Sequence, residues 1–366
     1  MPPARKRILV YRIGSLGDTI IALPAFNKVC EMFPDADITL LTNRPIVSKA
    51  AAVESVLGQG YFFHRVVNYP SGTRNPLVLL ALWKELRALK IDIAINLATT
   101  RILKDLATTK RTVLRDKWFL WSTGIRQFLG FPAIRQDFEL SIDPVTGQYE
   151  WEALRVMRRL ESLGPADLTS DRYWDLHFSE EELGQAKQAL QPLAPGQPIV
   201  AMCAGTKMQS KDWEEQNWLS FTSRLKTLLP GWQLVMVGAP DEAARADKCI
   251  ETWGGGVNLC GKTSPRVSGA VLKQARVFVG HDSGPMHLAA ATGTPVVAIY
   301  SARNLPRQWF PRGDGNRIIY HKTDCAGCVL EVCVAEKKKC ILSVTVDEVI
   351  DAVMEVLLRR EAGSQQ

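Results

Sequence analysis

Seven short apolar runs alternate with amphipathic stretches of helix length, and this alternation limits the possible folds more than any other feature. The runs are ILVYRI (8–13), ITLLT (38–42) and IDIAINL (91–97) in the first half, then PIVAMC (198–203), QLVMVG (233–238), RVFVG (276–280) and PVVAIY (295–300) in the second. Each is rich in Val, Ile and Leu on both faces of an extended chain, the pattern of a parallel strand covered by helices on either side. Strand, helix and strand in repeated succession form the βαβ unit, so the fold class is α/β. Between Leu163 and Pro198 the rhythm breaks: GPADLTSD, one charged helix expected over 180–190, then PLAPGQP. Breakers on both sides of a lone helix mark a linker. A chain of 366 residues favours two domains. The expectation is two doubly wound halves, 1–172 and 173–345, facing one another across a central cleft. TVDEVIDAVMEVLLRR then closes the chain as an amphipathic helix within 346–366, with Thr345 as its N-cap, acids in its first turn and arginines in its last.

Bulk composition narrows the partners. With 46% hydrophobic and 23% charged residues the chain reads as an ordinary globular protein. No apolar run approaches the ~18 to 20 residues of a membrane span, and no signal peptide is evident, so a cytoplasmic protein is expected. A formal charge of +7 and a pI near 9.0 point to anionic partners: phosphorylated metabolites, anionic lipid or nucleic acid. Basic residues gather in RILKDLATTKRTVLRDK (101–117), with Trp118 and Trp121 just after, a pattern that suits a membrane interface or a nucleic acid, although a solvated face is the favoured reading. Eight cysteines without a secretion signal suggest free thiols in a reducing compartment. Cys325, Cys328, Cys333 and Cys340 form C-x2-C-x4-C-x6-C, but one C-x2-C beside two irregular partners is a weak metal signal, and free or redox-paired thiols are the favoured reading.

In open parallel sheets ligands bind beyond the carboxyl ends of the strands, so polar motifs can be sorted by the strand end they occupy. Asp18 follows the first run in RIGSLGDTII, at a turn where a nucleotide fold would hold phosphate; a carboxylate there suits a helix start but repels an anion. GTKMQSKDW (205–213) places Thr206 and Lys211 after PIVAMC; the lysine serves either as a point charge for a diphosphate leaving group or as a solvated side chain. GAPDE (238–242) ends in Glu242, suited to ribose hydroxyls or to helix capping. The strongest block is VGHDSGPMHLAAATGTPVVAIY (279–300). Here a strand runs into Asp282, Ser283 and Gly284, Pro285 opens a helix, and His287 follows one turn later, a pattern that favours a diphosphate site over a capped βα turn whose Asp282 only binds backbone. Asp35 and Asp37 resemble the Asp-x-Asp metal pair of some sugar-nucleotide enzymes, but they precede their strand, at the wrong edge. No dinucleotide-binding or P-loop fingerprint and no nucleophile elbow is present.

RIGSLGDTIIALPA, GTKMQSKDW, GAPDE and GHDSGPMHLAAATGTPVVAIY, in this order, resemble the signature blocks of the glycosyltransferase family 9 heptosyltransferases of lipopolysaccharide core assembly. The resemblance implies a GT-B architecture of two Rossmann-like domains, the first binding acceptor and the second binding nucleotide sugar. It further implies inverting, metal-independent transfer of heptose from ADP-heptose, a substrate rather than a cofactor, to an inner-core sugar of a lipid-linked oligosaccharide. Residue by residue it assigns the catalytic base to Asp18 and donor-phosphate contact to Lys211. Thr206, Glu242, Thr263, Asp282, Ser283, Gly284 and His287 become donor contacts, with Glu242 on the nucleoside and Thr263 near the adenine. No block matches the stretch from Asn43 to Leu129; Arg101 and Lys104 are its candidate acceptor contacts. The partners implied are a nucleotide sugar, a lipid-linked acceptor and an anionic inner-membrane surface bound peripherally, with no nucleic acid. Two alternatives stand beside this: a family transferase for another nucleotide sugar or acceptor, and a non-catalytic nucleotide-sugar binding module.

Overall fold

The computed structural model describes residues 5–43, 51–70, 72–99, 105–145 and 147–363. The chain divides into two compact units, Met1–Asp175 and Leu176–Gln366. The division falls inside the breaker-rich segment, slightly beyond the expected 172/173 boundary.

The first unit is built on β1 (Arg7–Tyr11), β2 (Asp37–Asn43), β3 (Arg65–Tyr69), β4 (Ile93–Asn96) and β5 (Gln127–Leu129). All its pairings are parallel and the spatial order is β3-β2-β1-β4-β5. Strand β1 lies between β2 and β4, with Ile8 in register with both Ile38 and Ile93, so its aliphatic side chains are excluded from water on both faces. On one face Leu9, Leu41, Val67 and Ala94 meet Leu82 and Leu86 of the helix Pro76–Ala88 and Leu120 of the helix Leu106–Ser122. The first expected strand is shorter than its apolar run: it stops at Tyr11, and Arg12 turns inward.

The second unit repeats the plan with β6 (Ile199–Cys203), β7 (Gln233–Met236), β8 (Val257–Asn258), β9 (Val277–His281), β10 (Val296–Tyr300) and β11 (Arg317–Tyr320), ordered β11-β10-β9-β6-β7-β8 and again parallel throughout. Val200, Met202, Val277, Val279, Val297 and Ile299 share a core with Trp218, Phe221 and Leu225 of the helix Glu215–Leu228. Val349, Val353 and Val356 of the closing helix Val346–Gly363 enter the same core. Each buried aliphatic side chain of this kind is worth roughly 1.5–3 kcal/mol, so this helix is an integral layer of the second unit. Thr345 caps it as expected: its hydroxyl accepts from Glu348 N at 3.2 Å while the Glu348 carboxylate accepts from Thr345 N at 2.8 Å.

In both sheets the chain winds outward in one direction and then in the other from a central pair, β1 and β4 in the first, β6 and β9 in the second. The loops that leave the carboxyl ends of such a pair diverge and open a crevice. Asp37 sits at the amino end of β2, away from that edge.

Candidate functional site

Asp18 lies at the switch point of the first sheet. Arg12, fully buried just past β1, donates through its guanidinium to the carbonyl oxygens of Leu97 and Asp18 and to Thr99 Oγ1 at 3.2 Å. Because Leu97 follows β4, this one side chain ties the turn after β1 to the neighbouring strand end. Ser15 precedes the helix Leu16–Ile21, and both its amide and its hydroxyl donate to Asp18 Oδ2, at 2.8 and 2.7 Å. The amide bond is the acidic half of a capping box. A Cβ on Gly14 would stand 2.6 Å from Asp18 Cβ, so only glycine allows the turn to wrap the carboxylate this closely. The carboxylate is thus fixed at the carboxyl edge of the sheet.

In the second unit the loop after β6 and the loop after β9 meet at the switch point. Lys211 closes the short 3-10 turn Gln209–Lys211, and its ammonium lies 2.5 Å from Asp282 Oδ2 and donates to Asp282 O at 2.9 Å. Asn304 Nδ2 donates to the same carboxylate oxygen at 3.2 Å. The lysine is therefore an ion-paired, largely buried cation, and the solvated reading of it is set aside. Ser283 is the N-cap residue of the eight-residue helix Gly284–Ala291, and its Oγ is buried without a hydrogen-bond partner. A buried hydroxyl left unpaired costs free energy unless something else meets it. Gly284 opens the helix and His287 lies buried in its first turn. Ser301, just past β10, is buried with its Oγ likewise unpartnered, and nothing in the sequence singles it out.

Glu242 turns back into the same edge. A Cβ on Gly205 would fall 1.9 Å from its Cδ and one on Gly238 2.2 Å from its Oε2, so these two glycines form the slot that admits the side chain. Its Oε2 accepts from Ala239 N at 3.0 Å, and burial raises its pKa above the ordinary carboxylate range. Thr206 Oγ1 lies 3.5 Å from Met208 N. The Thr263 hydroxyl is paired with Ser268 Oγ at 2.7 Å, in a loop whose Gly261 N donates to Gly238 O at 2.9 Å. Thr206, Lys211, Glu242, Thr263, Asp282, Ser283, Gly284 and His287 thus all lie on strand-exit loops or helix starts of one sheet. Arg101 and Lys104 lie outside the described residues.

His281, the last residue of β9, is a residue the sequence reading passed over. It is fully buried; its Nε2 accepts from Trp213 N at 3.1 Å, so the proton resides on Nδ1, which donates to Gly205 O at 3.1 Å. Burial lowers its pKa to about 4. It spans the two ends of the GTKMQSKDW loop. Its signal was available: a polar residue closing an apolar strand immediately before Asp282. The four clustered cysteines are free thiols, and among the described residues no group of three or more His, Cys, Asp or Glu side chains is placed to hold a metal ion.

The family model for glycosyltransferase family 9 (heptosyltransferase) matches residues 143–339. Lipopolysaccharide heptosyltransferase 3 of Escherichia coli K12 is 26% identical over 298 residues, covering 78% of this chain and 80% of that protein. Lipopolysaccharide heptosyltransferase 1 of Pseudomonas aeruginosa is 28% identical over 340 residues, covering 89% and 87%. Among solved structures, the family 9 glycosyl transferase of Veillonella parvula superposes with a TM-score of 0.71 at 18% identity, covering 98% of this chain and 99% of that one. The E. coli ADP-heptose heptosyltransferase II structure gives 0.66 at 17% identity, covering 97% and 99%. The fold is accordingly GT-B and the protein is a glycosyltransferase. With a family match over more than half its length, the chain belongs to glycosyltransferase family 9, the heptosyltransferases.

Proposed function

We propose that the protein transfers heptose from ADP-heptose to a sugar hydroxyl of the lipopolysaccharide inner core, with inversion, without a metal ion and without a cofactor. The observation that carries this reading is the Lys211 and Asp282 pair beside the buried, unpartnered Ser283 hydroxyl at a helix start. A cation, a hydroxyl donor and free helix N–H groups at one switch point suit a diphosphate. The family relationship and the names of the relatives support heptose as the sugar and the lipopolysaccharide core as the acceptor.

In this mechanism Asp18 accepts the proton of the acceptor hydroxyl as its oxygen attacks the anomeric carbon from the face opposite the diphosphate. The bond from that carbon to the diphosphate oxygen breaks, and its electron pair leaves with ADP. Lys211 swings part of its charge from Asp282 to the departing phosphate, supported by Ser283 and the amide of Gly284. One displacement inverts the anomeric centre. Glu242 receives ribose hydroxyls, Thr206 and His287 border the phosphates and sugar, and Thr263 borders the adenine. A lipid-linked acceptor would bring the enzyme to the inner face of the cytoplasmic membrane as a peripheral protein.

A positioned general base contributes ~10² to 10⁴ in rate. Asp18→Asn is therefore expected to lower kcat by about that factor while titration calorimetry finds ADP affinity unchanged. Near-normal turnover would remove Asp18 from the reaction. Incubating the wild type with ADP- and UDP-sugars and extracted core acceptor, with products read by mass spectrometry, tests the donor. Binding of ADP-heptose without transfer would favour a non-catalytic module, and transfer from another donor a different family activity.

A further inference from the structure

The cysteine-bearing segment 323–340 is not used by this mechanism, yet it is wired to the loop that carries Lys211. Ser210 N donates to Glu331 O at 3.0 Å, and Ser210 Oγ donates to Leu330 O at 2.6 Å. Gln209 Oε1 accepts from Cys333 N at 2.9 Å. On the other side of Lys211, the buried Lys338 donates to Asp212 O at 3.0 Å and pairs with Glu214 at 2.8 Å. The segment is itself fastened to the exit of β10: Gly327 N donates to Ala302 O at 2.8 Å, and Arg303 Nε donates to Leu330 O at 2.8 Å. Next along from Arg303, Asn304 holds the Asp282 carboxylate that pairs with Lys211.

We propose that residues 323–340 form a brace that fixes the Lys211 turn against the donor site, making Lys338 and Gln209 positioning residues for the donor diphosphate. Four of the five residues flanking Lys211 in 209–214 are bonded to this brace, and the fifth, Trp213, is held by His281 and by Val344 O. A 3-10 turn of three residues has little stiffness of its own. The alternative to outside support is a lysine free to sample many rotamers, and small misplacements of a charged group can cost 10²-fold in rate. The energetic logic for Lys338 is specific: a buried ammonium must be fully paired, and its two partners here are a backbone carbonyl and a carboxylate of the Lys211 loop.

The proposal rests on the reading of Lys211 as a donor contact, so its test has one readout independent of that reading. Hydrogen exchange of residues 209–214 in the intact protein is compared between wild type, Lys338→Met and Gln209→Ala, the latter a milder change should Lys338→Met fold poorly. Protection of these amides is expected to fall selectively. Unchanged protection overturns the brace. For the kinetics, Lys338→Met is expected to lower kcat/KM for ADP-heptose about 10- to 100-fold, mostly through the donor KM, with Lys338→Arg recovering part of the loss. In a Lys211→Ala background the same change is expected to add little, because both act through one ammonium. Additive losses, or a loss of protection with unaltered kcat/KM where Lys211→Ala alone is damaging, overturn the positioning role. If Lys211→Ala is itself silent, the donor reading of Lys211 fails and the positioning role with it, while the exchange data still report whether the brace exists.

Discussion

His281 shows how one buried side chain can set both geometry and pH response. An unfolded chain protonates a histidine near pH 6.5, whereas the folded protein resists until about pH 4 because burial penalises the imidazolium. Between these values the unfolded state binds a proton the native state does not, so this contribution is complete above pH 6.5 and is lost as the pH falls. The gap corresponds to about 3 kcal/mol. Denaturant unfolding followed by tryptophan fluorescence is expected to find wild-type stability falling more steeply than that of His281→Gln between pH 7 and pH 4.5, by about 2 to 3 kcal/mol. Parallel pH profiles for the two proteins would show that His281 is not the titrating group. At this scale the strand-exit placement of several candidate residues was legible in the sequence. Asp18, Lys211, Glu242 and Asp282 were visible as polar residues at strand exits, whereas the bond from Lys211 to Asp282 joins residues far apart in the chain, which spacing cannot reveal.

At the scale of elements, the strands that sequence periodicity identified are the interior ones. The four it missed, β3, β5, β8 and β11, are the edges of the two sheets. An interior parallel strand is buried on both faces and must be apolar throughout, while an edge strand is short and partly wet and tolerates residues such as Arg65, Asn68, Gln127 and Arg317. The turn after β1 carries a local constraint, since Gly14 abuts Asp18. Gly14→Ala would push the Asp18 side chain from its place, so kcat is expected to fall about 10²-fold. ADP affinity, which the proposed function assigns to the other unit, should hold in calorimetry. Normal turnover in Gly14→Ala would show that the turn relaxes without moving Asp18, the proposed base.

For the whole molecule, among the described residues no helix is long and apolar enough to cross a membrane. The first unit instead exposes Trp118 and Trp121, 65% and 46% accessible, on the helix Leu106–Ser122, with Arg126 stacked over Trp121 at 4.9 Å. Exposed tryptophans beside cations suit a lipid interface. Flotation with vesicles containing anionic lipid is expected to carry the wild type upward and to leave most of Trp118→Ser/Trp121→Ser behind, with high salt weakening both. Equal flotation on neutral and anionic vesicles would count against this surface. The sequence by itself determined the fold class, the repeat of one plan in two halves and the family, because buried parallel strands and strand-exit motifs are local patterns. Only the tertiary structure decided which strand exits adjoin, that the closing helix belongs to the second core, and that the cysteine-bearing segment grips the Lys211 loop. Those facts depend on strand order and on backbone hydrogen bonds between distant segments, which no local pattern of side chains encodes.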